Sequence, residues 1–201
     1  MEYILENNNI EEYLNYDKYI DFDNEIIRKK ALELYDSSYD EIENIKNIYN
    51  YVRDEISHSG DIDSEIVTKT ASDVLIYREG ICVAKSLLLA ALLRCVKIPA
   101  GLCYQRLTKE DTPKSGYVIH GLNAVFISNK NKWVRLDARG NKLNINAEFS
   151  PDIEKIAFPI RHEYNEIDYP VIYAKQHTLV IEAMEKYNNR KKDIWDIESI
   201  N

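Results

Sequence analysis

A chain of 201 residues suits one domain of ordinary size, or a single core with helical additions. Its 45% hydrophobic content is enough for a buried core and excludes wholesale disorder. Lys and Arg total 26 against 34 Asp and Glu, a formal charge of −8 dispersed along the chain without a basic cluster, which argues against nucleic acid or an anionic membrane as partner.

Three cysteines, Cys82, Cys95 and Cys103, form no C-x-x-C pair, and four histidines add no metal-ligand spacing. A disulfide framework, a zinc ribbon and a bound metal are therefore not expected. The acidic start Met1-Glu2-Tyr3-Ile4-Leu5-Glu6 lacks the apolar region of a secretory signal, and the longest apolar stretch, Leu87 to Leu93, is too short to span a bilayer. The expectation is a soluble protein of a reducing compartment, the cytoplasm.

Residues 1 to about 36 read as weakly patterned helix, with Asn24 capping a segment from Glu25 to Tyr35. Ser38-Tyr39-Asp40-Glu41 has the form of a capping box, with Ser38 as N-cap and Glu41 at N3. Ile42, Ile45, Tyr49, Val52 and Ile56 then make one apolar stripe at helical spacing. His58-Ser59-Gly60-Asp61 breaks that pattern, and Thr70 with Asp73 predicts a shorter helix ending near Arg78. Glu79-Gly80 turns the chain into a helix that opens at Cys82, is apolar nearly all round, and stops before Lys97-Ile98-Pro99.

Past Pro99 the period changes. Ala100 to Leu107 is strand-like, Thr108 to Gly116 reads as a polar loop, and Tyr117 to Ile127 alternates with His120 and Leu122 on one face. Ser128-Asn129-Lys130-Asn131 is turn chemistry, followed by a strand from Trp133 to Asp137. Residues 147–175, punctuated by prolines, are expected to wrap over the core, and Thr178 to Tyr187 is a last helix before a fraying tail. The whole reads as a single domain: a helical segment 1–44, a core 45–145, and a C-terminal wrap with helix 146–201.

Cys82 carries the chemistry. A thiol in the first helical turn meets the positive end of the helix dipole and backbone N–H groups that have no intrahelical acceptor; both favour the nucleophilic thiolate. A two-residue turn at Ser128-Asn129 would pair Ile127 with Lys130 and set His120 directly opposite Asp137. Asp137 would orient His120, and His120 would exchange a proton with Cys82 and a leaving amine, a Cys-His-Asp arrangement for acyl transfer. Gln105 and Tyr104, on the first strand after the helix, are candidate oxyanion or substrate residues. Cys95, Cys103, His58, His162 and His177 have no partner spacing and are assigned structural or surface roles.

Ala71-Ser72-Asp73-Val74-Leu75, Gly80-Ile81-Cys82, Leu92-Leu93-Arg94, Ile98-Pro99-Ala100, His120-Gly121-Leu122-Asn123-Ala124-Val125 and Trp133-Val134-Arg135-Leu136-Asp137 occur in an order and spacing that resembles the transglutaminase-like branch of the papain-like cysteine enzymes, over roughly residues 45 to 140. The resemblance implies an α+β fold with the Cys82 helix packed on an antiparallel sheet carrying His120 and Asp137. It also implies a thioester mechanism on a peptide or protein substrate, without a cofactor. Leu122 stands where the family often has an aromatic residue, and Ala138-Arg139 where a Pro-Thr-like pair often follows the aspartate. These departures imply a bacterial-type subgroup. Two other functions fit the same residues: a non-catalytic binding module that keeps the fold, and an acyl-CoA-dependent N-acyltransferase.

Overall fold

The apolar run after Gly80 forms the axis of the molecule. The computed structural model describes residues 2–186 and 199–200. In chain order these form strand β1 (Ile4–Leu5), helices α1 (Glu25–Leu34) and α2 (Glu41–Glu55), strand β2 (Ser57–His58), helix α3 (Ala71–Tyr77), strand β3 (Glu79–Gly80) and helix α4 (Cys82–Cys95). Strands β4 (Ala100–Glu110), β5 (Thr112–Ile127), β6 (Lys132–Leu136), β7 (Ile167–Asp168) and β8 (Val171–Ile172) follow, and helix α5 (Thr178–Lys186) comes last. Tyr187 and most of the predicted tail lie outside the described residues.

Helix α4 is buried along its whole length from Val83 to Arg94. Each of its fully buried leucines contributes about 1.5–3 kcal/mol of burial free energy. Helices α1, α2 and α3 lie against it, as does an antiparallel sheet of strand order β6-β5-β4-β7. Gly121 sets the approach of sheet to helix, since a Cβ there would stand 2.9 Å from the Val83 Cα. Asn123, on the same strand, donates from Nδ2 to the Ser86 carbonyl at 2.9 Å and locks helix to strand at fixed height.

Two cations inside this core are structural. Arg94 donates to the carbonyls of Ala100, Asn15 and Ala174, tying both ends of the chain to α4. Lys85 donates to the carbonyls of Ile56 and Arg53 at the end of α2, groups that no intrahelical N–H can reach. Burial, followed by the repulsion of Arg139, pushes the Lys85 ammonium down to about 7.

Local signals held where a side chain had no better partner. Thr70 and Asp73 form the expected reciprocal capping box at α3, and Asn24 caps α1. Ser38 does not cap α2. Its N–H and hydroxyl both donate to Asp36 Oδ1, and Asp40 takes the N-cap instead, accepting from the Glu43 N–H.

Two expectations about the sheet are corrected. The segment Thr108–Gly116 is not a loop: β4 and β5 continue through it as a hairpin arm that turns at Asp111, with Glu110 paired to Thr112 and an irregularity between Thr108 and Glu110. Its polar composition reflects solvent exposure at the arm's end, not the lack of strand pairing. The β5–β6 connection is also longer than the predicted turn. A turn of 3-10 helix at Ser128–Lys130 and a left-handed Asn131 (φ 49°) pair Ile127 with Lys132. His120 and Asp137 consequently share a face but are offset along it, with Asp137 just beyond the end of β6.

The C-terminal segment adds to the sheets. Strand β7 extends the edge of β4, and β8 pairs in parallel with β1. Among the described residues, no helix is long and apolar enough to cross a membrane.

Candidate active site

Strands β2 and β3 set the entry to α4. They pair in parallel, His58 beside Gly80, so the chain reaches Cys82 from a pinned turn. Cys82 is the first residue of α4, and the N-cap residue Ile81 supplies no side-chain acceptor. The first-turn N–H groups and the positive end of the dipole are therefore directed at the region around the thiol.

Strand β5 brings His120 to the same place. The ring lines the same cavity as Cys82, is almost fully buried, and meets Phe158 edge-on with centroids 4.9 Å apart. His120 Nε2 lies 2.8 Å from Asp137 Oδ2, which leaves Nδ1 as the nitrogen for the thiol.

Asp137 is wholly buried and fully engaged. Oδ2 also accepts the Ala157 N–H at 3.0 Å, Oδ1 accepts the Arg139 N–H at 3.1 Å, and its backbone carbonyl accepts the Tyr49 hydroxyl of α2 at 3.0 Å. The carboxylate is thus oriented by the C-terminal wrap and by its own loop.

The electrostatics follow from that geometry. Burial alone would push the Cys82 thiol up, but the His120 charge and hydrogen bonds from His120 and His58 outweigh it and bring the thiol down to about 5. Burial works against the His120 cation, yet the charges of Asp137 and Cys82 hold it up to about 10. Burial likewise opposes the Asp137 carboxylate, but the His120 charge and hydrogen bond keep it below the usual range. The three shifts run in the direction of a thiolate–imidazolium pair backed by a carboxylate. Such a pair can attack a carbonyl carbon and then protonate a leaving amine.

Cys82, His120 and His58 open on a cavity of about 670 Å³. One wall is the β4–β5 hairpin arm and another is the wrap around Phe158 and Arg161. Arg161 holds the wrap to the arm through Asp111 at 2.5 Å and Thr108 at 2.8 Å, while Glu166 accepts from both Arg161 and Thr108. Across the mouth, Arg139 and Lys142 converge on Asp61 at 2.6–2.8 Å and join the loop after β2 to the loop after Asp137.

The structure places Cys82 and His120 on one cavity, with Asp137 bonded to His120. The two candidate oxyanion residues do not join them. The Tyr104 hydroxyl accepts the His177 N–H at 3.2 Å, and its ring packs against Tyr173 and His177, away from the cavity. Gln105 is paired directly across from His120, but its amide is turned to the Phe158 carbonyl at 3.3 Å and does not line the cavity. Ala157 and Phe158 act through backbone and packing, which carry no sequence motif. His58 was assigned a surface or structural place, and the structure sets it beside Cys82. Its only signal was position after the α2 stripe, which becomes informative once β2 is seen to pair with β3. Among the described residues, no three His, Cys, Asp or Glu side chains are grouped to hold a metal ion.

A solved structure shares this fold. A protein of Cytophaga hutchinsonii described as a candidate cysteine protease superposes with a TM-score of 0.52 at 21% identity, over 66% of this chain and 43% of that one. The periplasmic domain of TgpA from Pseudomonas aeruginosa gives a TM-score of 0.46 at 18% identity, over 63% and 45% of the two chains. The alignments thus span less than half the length of either structure. No curated protein matches the sequence significantly. The family model of the transglutaminase-like superfamily matches residues 28–138, more than half of the chain and including Cys82, His120 and Asp137. This chain belongs to the transglutaminase-like superfamily.

Proposed function

We propose that the protein is a cysteine enzyme that performs acyl transfer or hydrolysis at amide carbonyls of peptides or proteins. The observation that carries this reading is that a helix-start thiol and a buried histidine line one open cavity, with a carboxylate 2.8 Å from that histidine. Cys82 Sγ attacks the carbonyl carbon, and the C=O π pair moves to oxygen. Collapse of the tetrahedral intermediate breaks the C–N bond as the His120 imidazolium gives its proton to the departing nitrogen, leaving a Cys82 thioester. An incoming amine or water, deprotonated by His120, then releases the acyl group. A peptide carbonyl makes this proteolysis; a glutamine carboxamide makes it cross-linking or deamidation.

The cavity favours catalysis over a non-catalytic module, which has no need to expose the sulfur. Three free cysteines suit a reducing compartment, and cytoplasmic residence forms part of the proposal. Incubation of the protein with a mixed peptide pool, followed by acid quench and peptide mapping, should reveal an acyl adduct on Cys82 that is absent in Cys82→Ala. If a natively reactive Cys82 acquires no adduct from peptide or thioester donors, acyl transfer is the wrong reaction.

A further inference from the structure

A thiolate that adds to a carbonyl generates an alkoxide, and that charge needs donors fixed in advance. The Cys82 backbone N–H at the start of α4 is one. Neither Gln105 nor Tyr104 lines the cavity, so a second donor must come from elsewhere.

His58 has the required position. Ser57 N–H bonds to the Arg78 carbonyl at 3.0 Å and Ser59 N–H to the Gly80 carbonyl at 3.1 Å, which clamps His58 alongside the turn that delivers Cys82. Its ring lines the same cavity as Cys82. The side chain is only 15% exposed.

Its tautomer is also fixed. The Gly60 N–H donates to His58 Nδ1 at 3.1 Å, so Nδ1 is the acceptor nitrogen and the proton resides on Nε2. Asp61 Oδ1 is 4.0 Å from Nδ1, beyond hydrogen-bond distance, and is already bonded to Arg139 and Lys142. Gly60 is required for this contact, because a Cβ there would stand 2.9 Å from His58 Cε1. His58 therefore differs from His120. It has no carboxylate within hydrogen-bonding distance, and its ring lines the cavity.

We propose that His58 Nε2–H and the Cys82 backbone N–H form the oxyanion hole of this enzyme. The inference rests on the acyl-transfer reading above. As the C–S bond forms, the His58 N–H donates to the carbonyl oxygen that gains the electron pair, and it releases that oxygen when the C–N or C–O bond breaks. His58 keeps its proton throughout.

The test compares two reactions of Cys82 in the full chain. Alkylation by iodoacetamide displaces iodide and builds no alkoxide; acylation by p-nitrophenyl acetate builds one and releases p-nitrophenolate. His58→Ala should slow acylation on the order of 10²-fold, the low end of what one lost oxyanion donor costs, while alkylation changes only slightly. His58→Gln, which keeps a side-chain N–H, should recover most of the loss. Gly60→Ala should lower acylation by displacing the ring, with His58 itself unchanged. Wild-type acylation in His58→Ala, or a parallel fall of acylation and alkylation, would overturn the assignment. A wild-type Cys82 slow in both reactions would instead overturn the proposed function.

Discussion

His120→Ala should lower acyl transfer by about 10³-fold or more, the scale at which loss of one member of such a triad is felt. Two separate effects combine. His120 is the largest influence holding the Cys82 thiol down, and without it burial pushes the thiol to or above its ordinary value of about 8.5. The leaving amine also loses its proton donor. The same substitution strands Asp137 as a buried charge without its cation, a change that costs on the order of 3 kcal/mol. The wild-type pH profile follows from the same pair. Activity needs a deprotonated Cys82, present above about 5, and a protonated His120, present below about 10. The rate should therefore rise through the acid range, hold across neutrality, and fall at the alkaline end. In His120→Ala the plateau should vanish and the residual rate should climb with pH like that of a simple thiol. Single-turnover acylation across pH by a peptide p-nitroanilide, whose amine must take a proton as it departs, measures both. A variant that keeps the wild-type plateau would remove His120 from the mechanism.

Asp137→Asn should be nearly as damaging, although it preserves volume. The carboxylate accepts three hydrogen bonds through its side chain: from His120, Ala157 and Arg139. An amide offers a single acceptor oxygen and presents its NH₂ to a neighbour that also donates. If the oxygen takes the Oδ1 place with the Arg139 N–H, the NH₂ takes the Oδ2 place, meets both the Ala157 N–H and His120 Nε2, and forces the opposite tautomer, with the proton toward Cys82. Turnover should then fall by about 10²–10⁴-fold. An unsatisfied buried donor should cost about 1–3 kcal/mol, visible as a lowered Tm. A thermal melt separates the two effects. Reduced turnover at unchanged stability would mark Asp137 as purely orienting, whereas unchanged turnover would contradict its role.

What was legible in the sequence was whatever depended on one element at a time. Helix α4 could be read because an all-apolar run after a glycine has few alternatives, and α3 because Thr70 and Asp73 cap each other without competition. Ser38 misled because Asp36, two residues earlier, is a stronger partner for it than the helix start. The facing of His120 and Asp137 was readable from strand period, but their offset depends on Asn131 adopting a left-handed turn that lengthens the connection. The hairpin arm was hidden by its own polarity, since strand pairing of Thr108 with Tyr117 is made by backbone and leaves no apolar trace.

The site divides along the same line. Cys82 opens α4 and Asp137 follows β6, where residue type and position speak together, and His120 is placed by the alternation of β5. The Ala157 N–H that steadies Asp137 is a main-chain group on an irregular wrap, and any residue but proline could supply it. His58 reaches Cys82 only because two strands of two residues each pair across the intervening α3, a contact no local pattern encodes.

The most direct test of the central claim is the pH dependence of iodoacetamide alkylation of the native protein, mapped by peptide so that Cys82, Cys95 and Cys103 are followed at once. Cys95 and Cys103, whose thiols burial pushes up, serve as internal references in the same molecule. A thiolate held by His120 predicts that Cys82 is labelled at a nearly constant rate down to about pH 6 and slows only toward pH 5, while the other two remain slow below neutrality. If Cys82 instead loses reactivity tenfold per pH unit below about 8.5, as a free thiol does, there is no imidazolium–thiolate pair and the proposed chemistry fails with it.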